Sequence, residues 1–329
     1  MIRSICTVAA LALLAACGDG QPLFDVPPPE TGTGTTDPTP GSSIVRTEAS
    51  AADGSALVSD VSYNQAEDTF TVDGIGFDGA NVYTRLPGEM GKLGRNDDTD
   101  VFAAAATVTD PVSGRPVSQI PAYRALYRES AVKVDGEPRT SYAVVQTGGY
   151  LDYGYGGTVY QRKGGVVLPD SGQATFSGDY AGVRVFDNQT GLEYVTGDMT
   201  LDIDFDDFNA NDAVRARLSN RVALRENGKP IPLGTGETDL KLPTVLMSIQ
   251  EGAPSLDANG EIRGELKSVV RNAQGTLETY ETGTFSGIVA GDATTTPGGE
   301  IVGIVVLESA DPRFEGVNVR ETGGVILNR

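Results

Sequence analysis

Histidine is missing from all 329 residues. Without it there is no proton shuttle near neutral pH, no Ser-His-Asp or Cys-His nucleophile and no imidazole for a transition metal. Tryptophan is missing as well, and with it the commonest platform for stacking a sugar ring. A carboxylate pair could still hydrolyse a glycoside, but no pair of Asp or Glu stands in an identifiable apolar setting, so no enzymatic activity is expected. Positive charge is scarce: 25 Lys and Arg face 45 Asp and Glu, a formal net charge of −20, which argues against nucleic acid as a partner. Neither glycine-rich phosphate motif occurs in a strand-loop-helix setting. What is abundant is turn-forming residue, with 42 Gly and 18 Pro, and this composition points to an all-β chain.

The two cysteines, Cys6 and Cys17, both lie near the start. Met1-Ile2-Arg3-Ser4 is followed by an apolar run from Ile5 to Ala16, a positive region and a hydrophobic region of signal-peptide length, too short to span a bilayer permanently. The run ends Leu14-Ala15-Ala16-Cys17, which resembles the lipobox of bacterial lipoproteins. That resemblance implies removal of residues 1–16, a diacylglycerol on the Cys17 thiol and acylation of the new amino group by a chain such as palmitate. An ordinary secretory peptide with an incidental cysteine is the other reading of the same residues. Cys6 leaves with the leader, so no disulfide can form within the mature chain, and loss of Arg3 takes its formal charge to −21. Covalent lipid would then be the only nonprotein group, and the partner it brings is the membrane. In the sorting pattern of such lipoproteins, Gly18 after the cysteine favours the outer membrane. Residues 17–43, with Pro27-Pro28-Pro29 and a Thr-Gly run, read as a lipidated cysteine and a disordered leash several nanometres long.

Beyond Ile44, period-two alternation recurs between Gly-rich or Asp/Asn-rich turns. Examples are Asp68–Val72, Ser141–Val145, Ala174–Tyr180, Gly264–Val270 and Thr200–Phe205, the last with Leu201, Ile203 and Phe205 on one face and aspartates on the other. Val101–Thr107 and Asp239–Ile249 are the two places where a turn or two of helix is expected. A glycine-rich region from Gly148 to Gly165 divides the chain into a less regular, strand-rich unit, 44–160, and a unit with strands spaced for an up-and-down barrel, 161–329.

Leu168-Pro169-Asp170-Ser171-Gly172-Gln173-Ala174-Thr175-Phe176-Ser177-Gly178, followed by Gly197 and Asp204-Phe205, resembles the signature of transferrin-binding-protein-B-like β-barrel lipoproteins. Gly283–Gly287, Gly298–Gly303 and Glu321–Gly324 resemble the final strands of that barrel, so the likeness covers roughly 168–329. Ile288–Ala293 stands where the family carries an aromatic element. The resemblance implies a small strand-rich handle followed by a soluble eight-stranded antiparallel β-barrel, lipid-anchored at the outer membrane, facing the surface or the periplasm. It is most similar to the broad solute-binding group of that family, which implies a non-catalytic protein that takes up a protein or small solute through barrel-end loops and handle.

Two kinds of candidate site are legible. Tyr150, Tyr153 and Tyr155, within Gly148–Gly157, combine apolar bodies with polar tips and suit a recognition surface, or else cover the barrel mouth in a twisted connection. Asp202, Asp204 and Asp206, extended by Asp207, Asn209, Asn211 and Asp212, offer oxygen ligands for Ca2+, which would make the chain a calcium-assisted structural or adhesive protein. The same residues also read as a solvated strand face, because the run lacks the spacing of a calcium loop. Arg215, Arg217 and Arg221 lie on the following strand, and a hairpin would then bring some of them opposite those aspartates as cross-strand ion pairs. Asn96–Asp100 is a second acidic loop with the same two readings. The sequence leaves the ligand and the oligomeric state open.

Overall fold

The structure, a computed structural model, describes residues 33–49, 58, 60–73, 82–96, 98–105, 107–109, 113–118, 123–148, 153–206, 214–231, 242–248 and 256–329. Cys17, Tyr150 and the aspartates at 207 and 212 lie outside these residues, as does most of the leash.

Strands make up both units. The first is an open antiparallel sheet with eight principal strands among the described residues: β1 (Ile44–Ala49), β2 (Asp60–Asn64), β3 (Thr69–Asp73), β4 (Val82–Arg85), β5 (Thr99–Ala103), β6 (Arg124–Glu129), β7 (Thr140–Gln146) and β8 (Gly156–Arg162). Their order is β1-β8-β7-β6-β5-β4-β3-β2. The second unit comprises β9 (Gln173–Asp187), β10 (Leu192–Asp204), β11 (Val214–Arg225), β12 (Val245–Ser248), β13 (Glu261–Arg271), β14 (Leu277–Asp292), β15 (Gly299–Ala310) and β16 (Asn318–Asn328). Each pairs antiparallel with the next, and β16 pairs back onto β9, so the eight strands close an up-and-down barrel. Closure leaves the long strands without a free edge.

The two helical expectations are overturned. Val101 sits in β5 and Val245–Ser248 is β12. In β5 the alternation is hidden because both faces are dry: Val101 packs toward the barrel and Phe102 into the handle's own aromatic cluster. A strand buried on two sides reads as an apolar run that periodicity cannot tell from a short helix.

The same physics identifies the wall that meets the handle. In β15, Ile301 and Val305 point into the lumen while Val302 and Ile304 face the handle, and in β16 Val325 and Leu327 point inward while Ile326 faces outward to the handle. Residues 301–307 and 325–327 are thus apolar on both faces apart from Gly303, and each fully buried aliphatic side chain contributes about 1.5–3 kcal/mol. Away from the handle, alternation returns: Arg215, Arg217, Arg263, Glu265, Lys267, Thr282 and Thr284 are exposed between inward-facing apolar residues. Gly323 and Gly324 mark the boundary between the two cores. A Cβ on Gly323 would collide with the ring of Tyr180 in the lumen, and one on Gly324 with the ring of Tyr142 from the handle.

Polar clamps complete the junction. Arg46 bonds Glu261 through Nε and Nη2 at 2.6 and 2.8 Å, and buried Glu300 accepts hydrogen bonds from Ser130 and Thr140 at 2.6 and 3.0 Å. Arg162 is buried and has no carboxylate ion-paired with it among the described residues; its guanidinium donates to the carbonyls of Ser42, Gly164, Asn259 and Val289 at 2.7–3.0 Å, and more weakly to Thr39. Burial pushes its pKa down to about 10. One cation thereby fastens the segment arriving from the leash, the end of the handle and one end of the barrel.

A candidate binding end of the barrel

The end of the barrel away from Arg162 is built from the close of β9, the start of β10, the close of β11 and the hairpins that follow. Asn188, with φ of 65°, and Gly191, with φ of 121°, shape the β9–β10 turn. A second tight turn after β11 is closed by hydrogen bonds from Gly228 N to Arg225 O and from Arg225 N to Lys229 O, both 2.8 Å. Between these turns lies an open groove of about 360 Å³ lined by Phe186, Gln189, Leu192, Glu193, Arg225 and Asn227, among others.

Below the groove the lumen is charged. Arg221 donates to Glu281 at 2.8 Å through both Nη atoms and to Glu321 at 2.6 and 3.2 Å, while Tyr180 and Ser268 donate to those carboxylates at 2.9 and 2.8 Å. Nearer the rim, Glu193 accepts from Arg184 at 2.9 Å and from Arg313 at 2.7 and 3.1 Å, and Arg313 also grips Asp311. Burial alone would lower the pKa of Arg313 and raise that of Asp311; their mutual hydrogen bonds reverse both, so the cation is held up and the carboxyl is held below its ordinary range. The opposite half of the lumen is apolar, filled by Phe176, Leu201, Ile203, Leu266 and Phe285. Side chains therefore plug the barrel, as an eight-stranded interior requires.

Among Arg215, Arg217 and Arg221, it is Arg221 that turns away from the aspartates. Its neighbour Arg215 does face Asp202, at 3.5 Å, and Arg217 is paired across the ladder with Thr200. Between Thr196 and Asp198 the register shifts, with an extra residue in β11 and Asn220 at φ of 54°. This bulge turns Arg221 from the outer face into the lumen, an inversion that alternation counting cannot foresee.

The handle contributes a neighbouring rim. Tyr153 and Gly154 have consecutive positive φ values of 62° and 70°, and Gly191 N donates to Gly148 O at 3.3 Å, joining the handle loop to the groove-lining turn. Tyr153 lies under the guanidinium of Arg320, 4.4 Å from ring centroid to carbon, and burial, with Glu308 nearby, raises its hydroxyl pKa. Tyr155 is 55% exposed. Of the three tyrosines, then, one covers the rim, one faces solvent and Tyr150 lies outside the described residues.

The acidic candidates are held by protein neighbours. Asp202 accepts from Thr175 at 2.6 Å, Asp204 from Gln173 at 2.7 Å, and Asp206 from the backbone of Gly172 at 3.2 Å. In the second acidic loop, Asp98 pairs with Arg128 and Asp100 with Lys92, each at 2.5 Å, while Asn96 donates to Asp179 across the handle-barrel junction at 2.9 Å. Among the described residues no group of three or more Cys, Asp or Glu gathers to hold a metal ion.

Neither a family model nor a curated protein matches the sequence. Among solved structures, the chain is similar to a double mutant of transferrin binding protein B from Haemophilus parasuis Hp5, with TM-score 0.39 and 11% identity over 87% of this chain and 45% of that one. It is also similar to intact Ap-TbpB with its N and C lobes, with TM-score 0.38 and 10% identity over 87% and 46%. A protein of unknown function from Nostoc punctiforme gives TM-score 0.20 and 11% identity over 87% and 91%. The chain spans less than half the length of the transferrin binding protein B chains.

Proposed function

We propose that the protein is a non-catalytic binding lipoprotein of the outer membrane, tethered through Cys17 and presenting the groove and the Tyr153–Tyr155 rim to a protein or small solute. The observation that carries this reading is the placement of the two barrel ends. The segment arriving from the leash is fastened by Arg162 beside Asn259 and Val289, at the start of β13 and near the close of β14, whereas the groove lies at the other end. β9 runs 15 residues between them; at about 3.3 Å per residue and a tilt of about 40°, the ends stand roughly 35 Å apart. Membrane attachment and ligand access therefore do not compete for space.

Two features agree with this reading. The wall away from the handle carries charged and hydroxyl side chains where a membrane-spanning barrel carries an apolar belt, and among the described residues no helix is long and apolar enough to cross a membrane. The lumen's buried arginines and carboxylates are engaged with one another rather than set around a reactive cavity.

Cell fractionation tests the anchor: the wild-type chain should travel with the outer membrane and Cys17→Ala should leave it, whereas equal partition of both would contradict the proposal. Capture with the full chain tests the binding end. A component retained by wild type and lost by Tyr155→Ser supports it, and equal retention by both places binding elsewhere.

A further inference from the structure

The groove has an asymmetry of charge and hydrogen-bonding capacity. Two carboxylates line it, Glu193 and Glu226, and both are ion-paired away from Arg225: Glu193, its ladder partner, with Arg184 and with the Arg313 that also holds Asp311, and Glu226 with Arg124 at 3.0 Å. The cation that lines it, Arg225, is exposed, and no carboxylate pairs with it among the described residues. Asn227 uses its side-chain oxygen to accept from Lys229 N at 3.2 Å, which leaves its amide N–H groups as the free end. Gln189 and Thr190 add further donors on the facing turn. The floor is apolar, formed by buried Phe186 and Leu192. On a chain with a net charge of −20, a recess whose acids are already spent and whose arginine is unspent selects for acceptor-rich, negatively charged groups.

We propose that this groove binds small solutes carrying an oxyanion, carboxylate or phosphate, with Arg225 as the anchoring cation and Gln189, Thr190 and Asn227 as orienting donors. The inference rests on the reading that this end of the barrel is the binding end, and it names the ligand class for it. A planar guanidinium matches a carboxylate or phosphate bidentately, and a volume of about 360 Å³ falls at the small end of ligand sites, about 300–1,000 Å³. Solutes of metabolite size fit.

The test is calorimetric titration of the full mature chain in detergent with succinate, inorganic phosphate and, as neutral probe, glucose, at constant ionic strength. Succinate and phosphate should bind saturably, Arg225→Gln should weaken them by about tenfold or more, and Arg225→Lys should restore part of the loss. Because Arg225 is exposed and enters no side-chain hydrogen bond or ion pair among the described residues, both variants should melt with the wild type. Absence of saturable binding by wild type, equal binding by Arg225→Gln, or equal binding of glucose would each overturn the proposal. The outcomes separate it from the broader reading: if wild type and Tyr155→Ser retain partners equally while succinate still binds, the oxyanion site stands alone, and if Tyr155→Ser loses a partner that wild type retains but no anion binds, only this inference fails.

Discussion

Replacing Arg221 by methionine keeps much of the side chain's length but strips the cation that joins Glu281 to Glu321. The side chains of Arg221, Glu281 and Glu321 are 0%, 3% and 2% exposed, so water does not take over the five bonds, 2.6–3.2 Å long, that are lost, four to the carboxylates and one to Pro243 O. Desolvated carboxylates left without their partner cost about 3–5 kcal/mol, a large part of the roughly 5–15 kcal/mol that holds a domain together. At about 2–4 °C per kcal/mol for a chain of this size, Tm should fall by on the order of 10 °C. Thermal unfolding followed by circular dichroism reads this directly. Adding Glu281→Gln and Glu321→Gln to Arg221→Met should recover most of the loss, because an apolar and neutral replacement of a buried ion cluster costs far less than half of one. A single-variant shift below about 2 °C, or no recovery in the triple variant, would refute the claim that this end of the lumen is closed to water.

Arg162→Leu should free the carbonyls that fasten residues 39–43, so hydrogen exchange should quicken at Val166, whose N–H bonds Pro40 O, while the barrel strands stay protected; unchanged exchange there would count against the clamp. Asp311 is held below its ordinary pKa by Arg313; a depressed carboxylate stabilises fully above its unfolded value of about 3.9 and loses that contribution as pH falls through the lower folded value. Asp311→Asn should accordingly melt earlier than wild type at pH 7 and converge with it in strong acid, and a constant gap across pH would contradict the assignment. Gly324→Val should drive a side chain into the Tyr142 ring and release the handle from the barrel, seen as a separate early unfolding step, whereas Gly41→Ala, which meets nothing within 4 Å, should change little.

Much of the architecture could be read from the residues because the physics is local. Leu201, Ile203 and Phe205 alternate with aspartates, and all three are buried in the lumen; Gly-rich turns punctuate the meander that closes the barrel. The resemblance at Leu168–Gly178 pointed to the same all-β handle and barrel. What stayed hidden depended on partners distant in sequence. Val101 and Phe102 lose their alternation because the barrel covers one face and the handle's aromatic cluster the other. Arg221 changes side through a bulge at Asn220, which no composition signals. Of the candidate site, Tyr153 and Tyr155 stood out in their Gly-rich loop, but Arg225 did not: its lack of a carboxylate partner among the described residues is a property of the folded surface, and its place in a groove depends on two turns more than 30 residues apart. An arginine set within the apolar run Val183–Phe186 was the one available hint of a charged lumen.

The claim on which the rest depends is that the leash and the groove occupy opposite ends of the barrel. The direct measurement is spin labelling of the lipidated chain in liposomes, with Gly41→Cys and Gln189→Cys compared for collision with a nickel chelate fixed to the headgroups. The account predicts stronger relaxation of the label at 41 than at 189; equal relaxation at the two sites, or stronger relaxation at 189, would contradict it.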